Sequence, residues 1–362
     1  MDAAGVTVAD PPGSAPDETT MQAAVCRTYG EPLALETRPL PTPGPGEVLL
    51  RVDAVGLCAT DLKTISGALA PGTSLPLIPG HEVAGTVVDG ADDLVGRRVA
   101  VYLYESCGHC ARCAEGRPTL CAEAVRIGIE RDGGLAGYMV AARANLLPFG
   151  DAIDATAAAV AMDAVTSPWG ALHGRAAIQA GERLVVVGCG GLGLNAIQIA
   201  TAAGARVAAV DPVAAHRELA LANGAEIAVD PDQAAAGAVH GWAPGGADLA
   251  LETSGRRAGF LTAAAALRAG GRVVCNGYQP GVEYGMDSAR LVLEEITILG
   301  SRVGTLEDAR DALAAVESGA VVPQIMRTAP LSDINEALDA LAAGRVDGRI
   351  VITPHAERRR EP

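Results

Sequence analysis

Aromatic residues are scarce: two Phe, two Trp and six Tyr in 362 residues, 3% of the chain. Each ring near a cleft is therefore worth attention, although core packing is the plainer role for any one of them. Basic residues are also the minority, 28 Lys and Arg against 43 Asp and Glu, for a formal charge of −15. A nucleic-acid footprint needs a basic stripe, so no nucleic-acid partner is expected. No apolar run approaches the roughly 20 residues that span a bilayer, so no membrane partner is expected either. Residues 1–20 lack a basic start followed by an apolar segment, so no signal peptide is expected there. Their Pro, Gly, Ser, Asp and Thr content reads as a flexible extension. The expected compartment is the cytoplasm, where eight cysteines point to metal or catalysis before disulfides.

What is present describes a soluble globular chain, 49% apolar and 20% charged, long enough for two domains. Its central stretch is Ile78-Pro79-Gly80-His81-Glu82-Val83-Ala84-Gly85, with Cys58 upstream in Cys58-Ala59-Thr60-Asp61. A thiolate and an imidazole brought together suit zinc. Taken alone, the pair leaves open a hydrogen-bonded surface or core histidine. Further on, Cys107, Cys110, Cys113 and Cys121 are spaced by three, three and eight. Four thiols so arranged fold a loop around one tetrahedral metal, leave no open position and predict a structural site. A pair of disulfides is the alternative, and a reducing cytosol disfavours it.

Short strands and Gly/Pro turns fill the chain to about residue 150 and predict a small antiparallel, barrel-like unit. Alanine-rich helix formers follow, and Met162-Asp163-Ala164-Val165-Thr166-Ser167-Pro168-Trp169 interrupts them. Without neighbours, Asp163 reads as a helix-end or capping carboxylate. Leu184-Val185-Val186-Val187 is then an apolar run expected of a strand buried on both faces. It leads into Gly188-Cys189-Gly190-Gly191-Leu192-Gly193, a helical stretch, a second strand and Asp211. That is the full setting of a dinucleotide fingerprint. The glycines admit the pyrophosphate to the helix N-terminus, and Asp211 accepts from ribose hydroxyls and repels a 2′-phosphate, favouring NAD over NADP. Strands at 226–229, 248–251, 272–275 and 296–299 bring the count to six, enough for a doubly wound parallel sheet. Amphipathic helices at 306–318 and 334–343, a short strand from Arg349 and a charged tail at 356–362 complete the chain.

Together these motifs resemble the zinc-containing medium-chain alcohol dehydrogenases over residues 21–354. The resemblance implies an α/β fold in two parts: a doubly wound dinucleotide-binding domain at 165–302, and a mostly antiparallel GroES-like catalytic domain at 21–164 and 303–355. It implies two Zn2+ per chain. Cys58, His81 and Asp163 would hold the catalytic ion, with Glu82 as fourth ligand or outer carboxylate, and the four-cysteine loop would hold the structural one. Thr60 would take the proton of an alcohol as hydride passes between that alcohol, or an aldehyde or ketone in reverse, and NAD. The cofactor contacts implied are Thr166, Gly188, Gly190, Gly191, Leu192, Gly193, Asp211, His216, Asn276, Gly277 and Arg349.

Two departures stand out. Lys63 occupies the place where several members carry a relay histidine, and Ala59 replaces a phosphate-binding basic residue. Arg349 is then a leading candidate for the phosphate contact. The substrate pocket is expected between the domains, near Leu103, Trp169 and Tyr278, and assembly as a homodimer or homotetramer is expected. A biosynthetic NADH-dependent carbonyl reductase and a non-catalytic NAD-binding zinc protein remain the alternative readings.

Overall fold

The computed structural model describes residues 19–232 and 234–356. All but the last two residues of the expected extension at 1–20, and all of the expected tail except Ala356, lie outside the described residues. Thr20 already opens a strand, Thr20–Val25, which pairs antiparallel with Ala34–Pro39.

Two sheets organise the rest. The six-stranded sheet runs in the spatial order Ile227–Val229, Arg206–Val210, Arg183–Val187, Ala247–Glu252, Leu267–Cys275 and Thr297–Gly300. Every pairing in it is parallel. Numbered along the chain, this is the order 3-2-1-4-5-6 of a dinucleotide-binding sheet. Its central strand is apolar throughout Leu184-Val185-Val186-Val187 because helices cover both faces, and all four residues are buried.

The seven-stranded sheet joins Ile325–Pro330, Arg349–Thr353, Glu47–Gly56, Glu82–Asp89, Arg98–Val101 and Leu146–Pro148, with Tyr138–Ala142 added on Glu47–Gly56. Its pairings are antiparallel except that of Ile325–Pro330 with Arg349–Thr353. The chain thus returns from the parallel sheet to finish the antiparallel one. That return carries Arg349 back beside residues placed some 270 positions earlier.

The expected interruption at 162–169 does not occur. The helix Ala155–Val160 starts at Asp154, whose carboxylate accepts from the Ala157 N–H at 2.9 Å. It continues as a wide π turn at Ala161–Val165, an α turn at Thr166–Trp169 and a second π segment at Gly170–Arg175. Pro168 has no N–H to give, and widening is one way a helix accommodates a lost rung. The Thr166 hydroxyl meanwhile bonds the Ala161 carbonyl at 2.7 Å. Among the described residues, no helix is long and apolar enough to cross a membrane.

Candidate active site

Strands Glu47–Gly56 and Glu82–Asp89 pair so that Gly56 lies opposite Glu82. Cys58 follows the end of one strand by two residues, and His81 precedes the other by one, so register brings thiol and imidazole to the same sheet end. Gly56 has to be glycine, because a Cβ there would occupy the Glu82 carboxylate. Cys58 is also the N-cap of helix Ala59–Ile65 and accepts from the Thr60 N–H through sulfur at 3.5 Å. Asp61 closes this capping box, taking the Cys58 N–H on Oδ2 at 2.9 Å. Its other oxygen, Oδ1, lies 2.9 Å from His81 Nδ1. One fully buried carboxylate therefore positions both the cysteine and the histidine.

The π turn brings in the third group. Asp163 sits inside the helix, far from the Asp154 cap, so the helix-end reading fails on geometry. Its Oδ2 is 3.4 Å from Cys58 Sγ and 3.5 Å from His81 Nε2, while Ser167 Oγ donates to Oδ1 at 2.5 Å. Ligand atoms of Cys58, His81, Glu82 and Asp163 all lie within 4.8 Å of one another, and all four residues are buried. Tetrahedral zinc bonds of about 2.0–2.3 Å imply ligand separations of about 3.3–3.8 Å, and both separations from Asp163 fit them. His81 presents Nε2 inward because Asp61 holds Nδ1, the carboxylate–histidine pairing that orients metal-bound imidazoles.

The electrostatics agree. Burial would push the His81 imidazolium down, but Asp61, Asp163 and Cys58 outweigh it and raise it well above its usual value. Burial would raise Asp163, but His81, Arg349 and Ser167 hold it well below the carboxylate range. Two carboxylates thus bracket the ring, Asp61 at Nδ1 and Asp163 on the Nε2 side, where a cation would be held. Glu82 differs, since burial pushes it up to about 7 against the opposing pull of Arg349. Arg349 Nε donates to Glu82 Oε1 at 3.0 Å and Oε2 at 3.3 Å.

The same guanidinium touches the glycine-rich turn. A Cβ on Gly191 would coincide with Arg349 Nη1, so the turn closes onto Arg349 only because residue 191 has no side chain. Gly188 is left-handed at φ +94°, and a Cβ on Gly193 would strike the Gly188 carbonyl. Leu192 precedes helix Gly193–Ala202, whose N–H groups face the turn. Asp211 follows strand Arg206–Val210, with Oδ2 receiving the Cys189 N–H at 2.7 Å and Oδ1 receiving that of Val213 at 2.8 Å. Asn276 Oδ1 is buried with no partner, as a group awaiting a ligand would be. A Cβ on Gly277 would clash with the Thr253 and Gly255 backbone. These residues form a cradle that suits a dinucleotide.

In the four-cysteine loop, Sγ separations are 3.5 Å for Cys121–Cys107, 3.6 Å for Cys110–Cys113 and 3.9 Å for Cys107–Cys113. Zinc–sulfur bonds of about 2.3 Å put tetrahedral sulfurs about 3.8 Å apart. The cysteines are unbridged, and the loop fits one ion rather than two disulfides.

The chain matches the model of the zinc-binding dehydrogenases over 191–318 and that of the alcohol dehydrogenase GroES-like domain over 44–151. It is 36% identical to an alcohol dehydrogenase of Geobacillus stearothermophilus, covering 92% of this chain and 99% of that one. The chain belongs to the zinc-containing medium-chain alcohol dehydrogenases. A second member, the D-arabinose 1-dehydrogenase (NADP(+)) of Saccharolobus solfataricus, is 32% identical over 92% of this chain and 97% of its own. Among solved structures, acetophenone reductase from Geotrichum candidum in complex with NAD superposes with a TM-score of 0.82. It is 32% identical, covering 93% and 98% of the two chains. The protein is accordingly a zinc-dependent alcohol oxidoreductase of the medium-chain family, working with a nicotinamide dinucleotide.

Within this medium-chain dehydrogenase, the other expected site residues fall as follows. Thr60 is half-buried, and its hydroxyl has no protein partner among the described residues. Thr166 is fully buried, with its hydroxyl turned to the helix. Lys63 is half-buried, and its Nζ lies 3.9 Å from the centroid of the Tyr278 ring. Leu103 is buried, and Trp169 packs on His173 with centroids 4.6 Å apart. His216 Nδ1 is 3.2 Å from Asp211 and Nε2 is 3.2 Å from Asp347. No local motif marks Asp61 and Ser167, which hold two of the metal-site side chains. Composition does carry one signal: Lys63 is the one lysine in the chain, and the other 27 basic residues are arginine.

Proposed function

We propose that this enzyme interconverts a small alcohol and its aldehyde or ketone with NAD(H), in the cytoplasm and as a homo-oligomer. It would hold two zinc ions, one at Cys58, His81 and Asp163 and one in the four-cysteine loop. The observation that carries the reading is Arg349, which pairs with Glu82, lies 4.0 Å from Asp163 in the metal cluster and is covered by Gly191 of the cofactor turn. Zinc bound there would supply a Lewis acid for the substrate oxygen, and the dinucleotide would exchange hydride with the substrate carbon. Asp61 and Ser167 keep His81 and Asp163 in place, while buried walls exclude water. Glu82, paired with Arg349, is assigned outside the metal's first ligand set. Eight unbridged cysteines support a reducing compartment. A panel of alcohols with NAD, and of carbonyls with NADH, followed by nicotinamide absorbance, tests the function; no turnover in either direction would leave only a binding protein.

The proton is assigned to Thr60 and Lys63, which share a helix face at a spacing of three. The Thr60 hydroxyl accepts the alcohol proton as it gives up its own, and Lys63, a cation that can release its proton to solvent, is the group assigned to pass it on. Burial pushes the Lys63 ammonium down, with Cys58 and Asp163 opposing. In a chain otherwise served by arginine, this one position has a cation that can release its proton. Lys63→Arg keeps the charge and the stacking on Tyr278 but cannot deprotonate. Alcohol oxidation should fall about 100-fold or more at neutral pH, with dinucleotide affinity nearly unchanged. Wild-type turnover in that variant would reduce Lys63 to a packing role.

Metal analysis should return two zincs per chain. A chelator should remove one with activity while the fold persists, and the other only as the fold is lost. A single zinc would strike out one of the two sites.

A further inference from the structure

His216 occupies an unusual position, an imidazole held between two carboxylates from different parts of the chain. Asp211 directly follows strand Arg206–Val210 of the parallel sheet, whereas Asp347 belongs to the returning segment two residues before Arg349. Asp211 is largely committed already. Oδ1 takes the Val213 N–H and faces His216, and Oδ2 takes the Cys189 N–H. A carboxylate has about four acceptor positions, so one is left for a ribose diol that offers two donors. A 2′-phosphate would face the Asp211 charge, and His216 is the group placed to cancel that charge. The neighbouring cation Arg217 is already bonded to the carbonyls of Asp211 and Pro212 and to the Asp230 carboxylate.

We propose that His216, shared between Asp211 and Asp347, sets how strongly this enzyme discriminates NAD from NADP. As neutral imidazole it leaves the Asp211 charge bare, and a 2′-phosphate is repelled. As imidazolium it cancels that charge and offers the phosphate a partner. The groups facing it are Asp211, Asp347 and the Val346 backbone, and all of them favour the proton. The hydrogen bond to Asp211 leads in raising the imidazole, and burial opposes it. Preference for NAD should therefore grow as pH rises and weaken as it falls. This rests on the reading that Asp211 receives the adenosine ribose.

Calorimetric titration of the zinc-loaded full-length protein with NAD and with NADP, from about pH 5 to about pH 8, tests it. In wild type, the ratio of the NADP to the NAD dissociation constant should rise about tenfold across that range, as one charge lost beside a phosphate implies. The phosphate's own ionisation near pH 6 contributes in every variant, so the comparison with His216→Gln isolates the imidazole. In His216→Gln the rise should shrink to that residual. In Asp347→Asn its midpoint should move to lower pH, because one of the two carboxylates holding the proton is gone. Asp211→Gly should lose the NAD preference. Proton NMR of the His216 ring, assigned by its loss in His216→Gln, gives a readout independent of turnover. The ring should titrate at higher pH in the NADP complex than in the NAD complex. Identical titration in the two complexes, or an undiminished rise in His216→Gln, would overturn the proposal. If both nucleotides bind equally at every pH, His216 has no such role, but the oxidoreductase stands. If neither binds, the Asp211 reading falls and this inference falls with it.

Discussion

Asp163→Ala is expected to abolish most turnover while leaving dinucleotide binding and the four-cysteine loop intact. The variant removes the oxygen that faces both Cys58 Sγ and His81 Nε2 at 3.4–3.5 Å. Two donors would then remain in place. Glu82 could become the third only by leaving Arg349, uncovering a buried guanidinium. Losing an outer partner of a metal ligand typically costs 10–100-fold, so losing the ligand itself should cost more than about 100-fold in kcat/KM. Asp163→Cys is the matched control, since a thiolate has the same charge and is a zinc donor of equal standing. It should keep close to one catalytic zinc and measurable turnover, although Ser167 loses its short bond to the carboxylate. Zinc content and kcat/KM of the two variants decide the matter. Full zinc and near-wild-type turnover in Asp163→Ala would show that the metal, if bound, does not need this side chain.

The parts of the fold that were legible in the sequence are those encoded locally. Leu184-Val185-Val186-Val187 followed by the glycine-rich turn announces a strand and helix, because a strand covered on both faces must be apolar at every position. The cysteine spacing announces the loop, because four thiols converging on one ion restrict the chain between them. The helices at 306–318 and 334–343 run to within a residue of Leu306–Glu317 and Ile334–Ala342, where an apolar stripe sets their extent.

What escaped depends on distance or on competition. Asp61 looks like any first-turn acid until the sheet register places His81 against it. Pro168 signals a break, yet the helix widens and continues, because packing of this segment outweighs local propensity. Widening is what turns Asp163 into the cluster, so the local misreading and the unread ligand geometry share one cause. The Arg349–Glu82 pair spans most of the chain and leaves no local trace. Lys63 is the opposite case. Its singularity was in the composition, but only its half-buried place beside the cluster gives that singularity a chemical meaning.

Arg349→Met should cost about 3 kcal/mol of stability in nucleotide-free protein. Breaking a buried ion pair typically costs 3–5 kcal/mol. The low end applies because Glu82, already pushed up to about 7, can take a proton and relieve part of the stranded charge. The side chains of Arg349 and Glu82 are 6% and 0% exposed, so solvent relieves little of the remainder. Arg349→Met/Glu82→Gln tests the origin of the loss, since it removes both charges and keeps an amide over Gly56. If the ion pair carries the effect, the double variant should recover at least about 1 kcal/mol relative to Arg349→Met alone, within the range of contacting pairs. Both variants should bind NAD more weakly, because the glycine-rich turn at Gly191 rests on this guanidinium. Urea unfolding without nucleotide separates the two effects, since a residue serving only as a phosphate contact would leave that midpoint unmoved. A midpoint unchanged in Arg349→Met, with NAD affinity alone reduced, would mean that Glu82 does not need its partner and that Arg349 is there for the cofactor alone.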